Sequence, residues 1–167
     1  MFAETPEGCG EGRRVRRGKA AHGIGADDAD DAEGYARLRV DEEMDGGRYV
    51  AGAALGRGAF AGVYKATEVA SGRRVAVKVL RNTDDMRRAG RAEVGVLERM
   101  KVADEGDRHH CMRMLGSFEH GGHGVIVFEE LELNVREVVR QFVHGGGIRL
   151  AAGRLFASQF LRALCLL

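Results

Sequence analysis

Paired cysteines, a dominant charge of one sign and any long apolar run are missing from this sequence. Cys9, Cys111 and Cys165 are scattered and odd in number, which excludes a disulfide scaffold and fits a reducing compartment. The formal net charge is +1, so the charge balance leaves no footprint for a nucleic acid or a membrane partner. No apolar h-region marks a secretory signal. The most apolar stretch, Leu164-Cys165-Leu166-Leu167, follows Arg154 and Arg162 too closely to span a bilayer. His109, His110, Cys111, His120 and His123 invite a metal reading, but their spacing does not match the paired ligands of a zinc site. No metal ligand is therefore assigned. A single proline stands against 25 glycines, and the surplus glycine falls in the tail and loops.

With 167 residues, 44% of them hydrophobic, one modest domain plus a tail is expected. Residues 1–33 carry few large apolar side chains and many glycines and charges, so they read as a disordered tail. The basic cluster Arg13-Arg14-Val15-Arg16-Arg17-Gly18-Lys19 suits a nuclear-localisation or anion patch, and a solvated tail is the preferred reading. The acidic run from Asp27 to Glu33 offers it a neutralising partner.

What is present is concentrated in residues 55–78. Leu55-Gly56-Arg57-Gly58-Ala59-Phe60-Ala61-Gly62-Val63 puts a glycine-rich turn between two runs of apolar alternation. Glycine lets the backbone approach an anion without a Cβ in the way and permits positive φ, so the backbone N–H groups can face phosphate oxygens. The Gly-Lys-Ser/Thr of a P-loop is absent. A dinucleotide fingerprint would open a helix, whereas β-type alternation follows Gly62. The loop is therefore read as a hairpin between strands, and a plain glycine hairpin is the bland alternative.

Lys78 changes that balance. In Arg74-Val75-Ala76-Val77-Lys78-Val79-Leu80 the valines take one face, and Ala76, Lys78 and Leu80 the other. Most strand lysines snorkel to solvent, but this one is flanked by apolar residues and needs an anion if buried. Residues 83–101 supply one. Asn82 or Thr83 caps a helix whose first turn holds Asp84 and Asp85. Met86, Ala89, Glu93, Leu97 and Met100 then share a face, so Glu93 turns inward where an unpaired carboxylate is costly. Gly90 and Gly95 weaken this helix.

Farther on, Cys111–Phe118 and Gly124–Phe128 read as hairpin strands around His120-Gly121-Gly122-His123. A helix is expected over 134–144, with Val135, Val138, Val139 and Phe142 inward and Gly145-Gly146-Gly147 ending it. A second is expected over 148–167, with Ala152, Leu155, Phe156, Phe160, Leu161 and Leu164 on one side.

The glycine loop, Lys78, Glu93 and the Val127-Phe128-Glu129-Glu130-Leu131 segment together resemble the N-terminal lobe of a eukaryotic serine/threonine protein kinase. Gly34-Tyr35, Asp45–Tyr49, Val75–Asn82, His110–Arg113 and Asn134–Val139 are similar to the Prp-four-type pre-mRNA-processing kinases, relatives of the DYRK group in the CMGC kinases. The resemblance spans roughly residues 34–167. It implies an α+β fold: an antiparallel sheet of about five strands with one αC-type helix over 34–131, then two helices of an incomplete larger lobe over 132–167.

The resemblance also implies ATP as ligand, with Mg2+ held by ligands outside this sequence. Leu55 through Val63, Ala76 and Lys78 would line the nucleotide, Phe60 covering the phosphates and Val63 the purine. Phe128 would guard the back pocket, while the Glu129 carbonyl and Leu131 amide bind adenine. A Lys78–Glu93 ion pair would set the lysine on the α- and β-phosphates. Ala61 stands where that motif has its third glycine. Nuclear placement, protein substrates such as splicing factors, and transfer of the ATP γ-phosphate to Ser or Thr are implied in the same way.

Neither H-R-D-x-x-x-x-N nor D-F-G occurs, so the catalytic base and main magnesium ligand are absent. The chain alone is therefore expected to be inactive. Three readings follow: the front of an active kinase, a short nucleotide-binding or regulatory interaction module derived from one, or an αβ domain with a coincidental loop.

Overall fold

The computed structural model describes residues 30–142 and 148–166, with the side chain of Phe142 outside that set. The basic cluster, Cys9 and the Gly145-Gly146-Gly147 stop lie outside the described residues.

Among the described residues the α+β architecture is a six-stranded antiparallel sheet with three helices. The strands are β1 (Glu43–Met44), β2 (Tyr49–Arg57), β3 (Ala61–Glu68), β4 (Arg73–Leu80), β5 (Met114–His120) and β6 (His123–Glu129), in spatial order β1-β2-β3-β4-β6-β5. Helix α1 (Asp84–Ala103) joins β4 to β5, and α2 (Val135–Phe142) and α3 (Leu150–Leu164) follow. The two-residue β1 is the strand beyond the expected five.

Alternation decides which side each strand residue takes. Val75, Val77 and Val79 of β4 join Val125 and Val127 of β6 in a dense cluster with Met44, Tyr49, Ala51 and Ala66. Tyr49 stacks on Phe118 with ring centroids 5.6 Å apart. The opposite side holds a smaller cluster of Met114, Ile126 and Phe128, packed against Val94 and Leu97 of α1. β6 lies inside the sheet and feeds both clusters, which is why its sequence is a continuous apolar run.

Several boundaries differ from expectation. β5 begins at Met114 rather than Cys111, because the Glu129 side chain accepts the Arg113 N–H at 3.0 Å and takes the place of a ladder carbonyl. The β5–β6 turn is closed by Gly121 and Gly122, both at positive φ (56° and 82°), the backbone a two-residue hairpin of the primed type requires. His120 and His123 are the last strand pair, and His123 is buried. Asp30–Glu33, assigned from composition to the tail, are bonded to the fold instead, because their carboxylates and backbone find partners there. Asp30 forms a bridge with Ala36, and Asp31 accepts from the Tyr35 and Glu33 amides at 3.0 Å.

α2 opens with a reciprocal cap: the Glu137 N–H donates to Asn134 Oδ1 and the Asn134 N–H to Glu137 Oε2, both at 2.9 Å. Val135, expected inward, is exposed, as the first helical turn faces away from the other described residues. α3 has its apolar stripe, but Leu155, Phe156, Phe160, Leu161 and Leu164 are exposed too. Among the described residues nothing covers that stripe, and no helix is long and apolar enough to cross a membrane.

Candidate functional site

Lys78 stands in a central strand, opposite Val63 of β3 on one side and Ile126 of β6 on the other. Its neighbours on β4 point to the valine cluster, so Lys78 itself points toward α1. There its Nζ donates to both oxygens of Glu93, at 2.7 and 2.8 Å. The two side chains keep 27% and 36% of their exposure. A pair this open contributes little to stability, about 0–1 kcal/mol. Its effect is positional: one ammonium is held by both oxygens of a carboxylate on a different element.

Helix α1 brings Glu93 to that point. Thr83 caps it by accepting the Met86 N–H at 3.4 Å, and Asp84 and Asp85 occupy the first turn. The inward face is Met86, Gly90, Glu93, Val94, Leu97 and Met100, whereas Ala89, expected on it, is exposed. Gly90 explains the turn of the helix. A Cβ there would run into the Leu80 side chain, and one at Gly124 would come within 3.2 Å of the same leucine. Leu80 is thus seated between two glycines, and Gly90 lets the helix approach the sheet rather than merely weakening it.

The glycine loop is the tip of the β2–β3 hairpin. The Gly58 N–H donates to the Ala61 carbonyl at 2.9 Å and closes the turn. None of Gly56, Gly58 and Gly62 takes a positive φ, so the left-handed freedom expected of them is not used here. Their small size is. A Cβ on Gly56 would project into open space, and one on Gly62 would meet the Tyr64 ring at 2.9 Å. Gly56 leaves room over the sheet, and Gly62 is needed for packing. Leu55 and Phe60 are exposed on the hairpin, flanking Arg57, Ala59 and the buried Ala61.

Val63 and Ala76 lie on the Lys78 side, with Ala76 opposite Phe128. Phe128 is buried, Glu129 half-buried and Leu131 exposed past the end of β6. The structure therefore gathers Val63, Ala76, Lys78, Glu93 and Phe128 on one face beneath the hairpin. Between α1 and the β5–β6 hairpin there is a separate cavity of about 280 Å3, lined by Leu80, Gly90, Val94, Phe118 and Ile126.

Several contacts were not foreseen in the sequence. The Tyr35 hydroxyl donates to the Gly58 carbonyl at 2.9 Å and approaches the Ala59 carbonyl at 3.2 Å. Arg81 donates from Nη1 to the Ala59 carbonyl (3.2 Å), from Nε to the Glu33 carbonyl (2.8 Å) and from its amide to the Phe60 carbonyl (3.1 Å). Arg57 pairs with Asp31 at 2.8 Å and Glu33 at 2.7 Å, its guanidinium 3.5 Å from the Tyr35 ring centroid. The Tyr35 N–H bond, the Glu33 N–H bond and Arg57 together hold the Asp31 carboxyl below its ordinary range. Glu130, nearly buried, meets Lys65 at 3.2 Å and Arg74 at 2.7 Å, tying the segment after β6 to β3 and β4. The only signal for Tyr35 was its place in a family-like Gly-Tyr pair.

The histidines are dispersed among separate carboxylates: His109 with Asp104, His120 with Glu42, and His123 with Asp30. The His109 side chain and the Arg108 and His109 amides hold Asp104 down to about 2. Among the described residues no three metal-ligating side chains come together.

No protein-family model matches the chain. Curated proteins do. Serine/threonine-protein kinase prp4 of Schizosaccharomyces pombe is 34% identical over 176 residues, covering 100% of this chain and 36% of that protein. Serine/threonine-protein kinase prpf4B of Dictyostelium discoideum is 31% identical over 141 residues, 83% of this chain and 17% of its own length. Dual specificity protein kinase CLK1 of Homo sapiens is 37% identical over 113 residues, 67% of this chain and 23% of that protein. The chain thus spans about a third or less of the length of these relatives. With the sheet, α1 and the Lys78–Glu93 pair in place, it belongs with the Prp4-type and CLK protein kinases and carries part of their N-terminal lobe.

Proposed function

We propose that this chain is the ATP-binding part of a serine/threonine protein kinase. The observation that carries the reading is the twofold hydrogen bond from Lys78 Nζ to Glu93 beneath a glycine hairpin, in a chain related to named protein kinases. Bound ATP supplies the transferable γ-phosphoryl group. This chain's residues hold and orient it. Lys78, steadied by Glu93, bonds the α- and β-phosphate oxygens; the hairpin backbone from Gly56 to Gly62 covers the phosphates, and Phe60 keeps water from them. The open space over Gly56 fits a ligand there. Leu55, Val63, Ala76 and Phe128 make the apolar sleeve for the purine, and the Glu129 carbonyl and Leu131 amide bond its edge. Mg2+ is assigned no ligand among these residues.

The acceptors are Ser or Thr of protein substrates, splicing factors among them, and the site of action is the nucleus. Similarity to pre-mRNA-processing kinases supports both. The 167 residues contain no catalytic base, so the isolated chain binds nucleotide without transferring phosphate.

Thermal denaturation with and without MgATP tests the reading. Nucleotide should raise the midpoint of the wild-type chain and leave that of Lys78→Met unchanged. Equal shifts in both would defeat the assignment of Lys78. Phosphate transfer to a protein by the purified chain would defeat the inactivity.

A further inference from the structure

Residues Asp30–Ala36 run along the sheet face opposite Lys78. Ala36 packs on the valine cluster and its carbonyl accepts the Tyr64 hydroxyl at 2.9 Å. One end of the segment is fixed by Asp30 to buried His123 at 2.6 Å. Near the other end stands Tyr35, 8% exposed, between the guanidinium groups of Arg57 and Arg81, 3.5 and 4.8 Å from its ring centroid.

A trans peptide is planar, and its C=O and N–H point in opposite directions. Holding the carbonyl of residue 58 toward Tyr35 therefore aims the N–H of Ala59 the other way. Holding the carbonyl of residue 59 toward Tyr35 and Arg81 does the same to the N–H of Phe60. Away from Tyr35 is the side of the sheet on which Lys78 stands. We infer that Tyr35 is a positioning residue: from behind the sheet, its hydroxyl orients the Ala59 and Phe60 amides toward a phosphate group. The inference rests on the nucleotide reading for its ligand, and on the hydrogen bonds alone for its geometry.

The arrangement has a built-in selectivity. The hydroxyl acts on the loop tip, so it should matter for the phosphates of a nucleotide and not for its base. Tyr35→Phe keeps the ring between the two arginines and removes only the donor. In the 167-residue chain, this variant should bind MgATP roughly three- to tenfold more weakly and adenosine as well as the wild type does, by calorimetry. Without any nucleotide, 15N relaxation should show lower order parameters for the Ala59 and Phe60 amides. Asp31→Ala, which removes the oxygen accepting the Tyr35 and Glu33 amides and so releases the turn presenting Tyr35, should reproduce both effects if Tyr35→Phe proves hard to prepare.

Unchanged loop order parameters in these variants would overturn the inference, as would equal losses for MgATP and adenosine. If the wild-type chain binds no MgATP, the nucleotide reading fails for the isolated chain. The relaxation measurement still decides whether Tyr35 holds the loop.

Discussion

The two faces of the sheet use alternate residues of the same strands and differ in almost everything else. One gathers nine buried residues, Met44, Tyr49, Ala51, Ala66 and five valines among them. The other gathers three, Met114, Ile126 and Phe128, and is completed by half-buried Val94 and Leu97 of α1. The second carries the Lys78–Glu93 pair, whereas the first carries the histidine–carboxylate contacts of His123 and His120. The first face is densely packed, and the second is sparse. The main core and the Lys78–Glu93 pair thus lie on opposite sides of one sheet.

The strongest way to break the contrast is to open a hole on each face. Met44→Ala, at a fully buried position, should cost about 2–5 kcal/mol. Leu97→Ala on the half-buried helix face should cost roughly half as much or less. Urea denaturation of the two variants reads the difference, and equal losses would show that the faces are equally well packed.

A smaller effect is expected at Gly90. Gly90→Ala overpacks Leu80, at about 1–3 kcal/mol, and gains up to about 1 kcal/mol in helix propensity. The net should be destabilising by about 1 kcal/mol, and adding Leu80→Val should recover it. A Gly90→Ala chain more stable than wild type would mean that the close approach is not required.

Lys78→Met should change the unfolding free energy by less than about 1 kcal/mol while removing the stabilisation that nucleotide confers. That split between stability and binding is the contrast in its sharpest form. The least effect is at the C-cap of α1. Asp104 is held to about 2, below its ordinary 3.8. A carboxyl depressed by folding contributes stability that is fully present above the unfolded value and is lost as pH falls from about 4 toward 2. Asp104→Asn should flatten the acid limb of the melting-temperature profile in that window, and an unchanged limb would sink the assignment.

How much of this was legible depended on the range of the interaction. Strict alternation in Arg74–Leu80 and the apolar run of β6 reported burial directly, so the faces of β4 were readable. The Lys78–Glu93 pair was readable because period and strand alternation each forced one charge inward. Ala89 was misplaced because Leu80, from another element, sets the rotation of α1 through Gly90. Beyond its family-like Gly34-Tyr35 pair, Tyr35 left no pattern, since a side-chain hydroxyl bonding two backbone carbonyls 23 and 24 residues away has no characteristic spacing. The stripe on α3 was legible, but periodicity names no partner for it.

His123 joins parts of the chain that meet late. Its ring reaches the Leu80 carbonyl at 2.7 Å and Asp30 across 93 residues. The β2–β3, β3–β4 and β5–β6 hairpins connect sequence neighbours and can zip locally, whereas contacts of long separation wait for loop closure. The Asp30 end of the segment therefore docks after β6 has placed His123 beside the end of β4, whereas Tyr35 meets Gly58, Ala59 and Arg81 of the earlier hairpins. During refolding, the glycine hairpin should exist before it is held, with its tip shaped in a later step. Tyrosine fluorescence should show a phase trailing the far-ultraviolet signal of the sheet, and that phase should vanish in Tyr35→Phe. On a ribosome the same order leaves the hairpin tip to be held by Tyr35 and Arg81 while the Asp30 anchor waits until residue 123 has emerged.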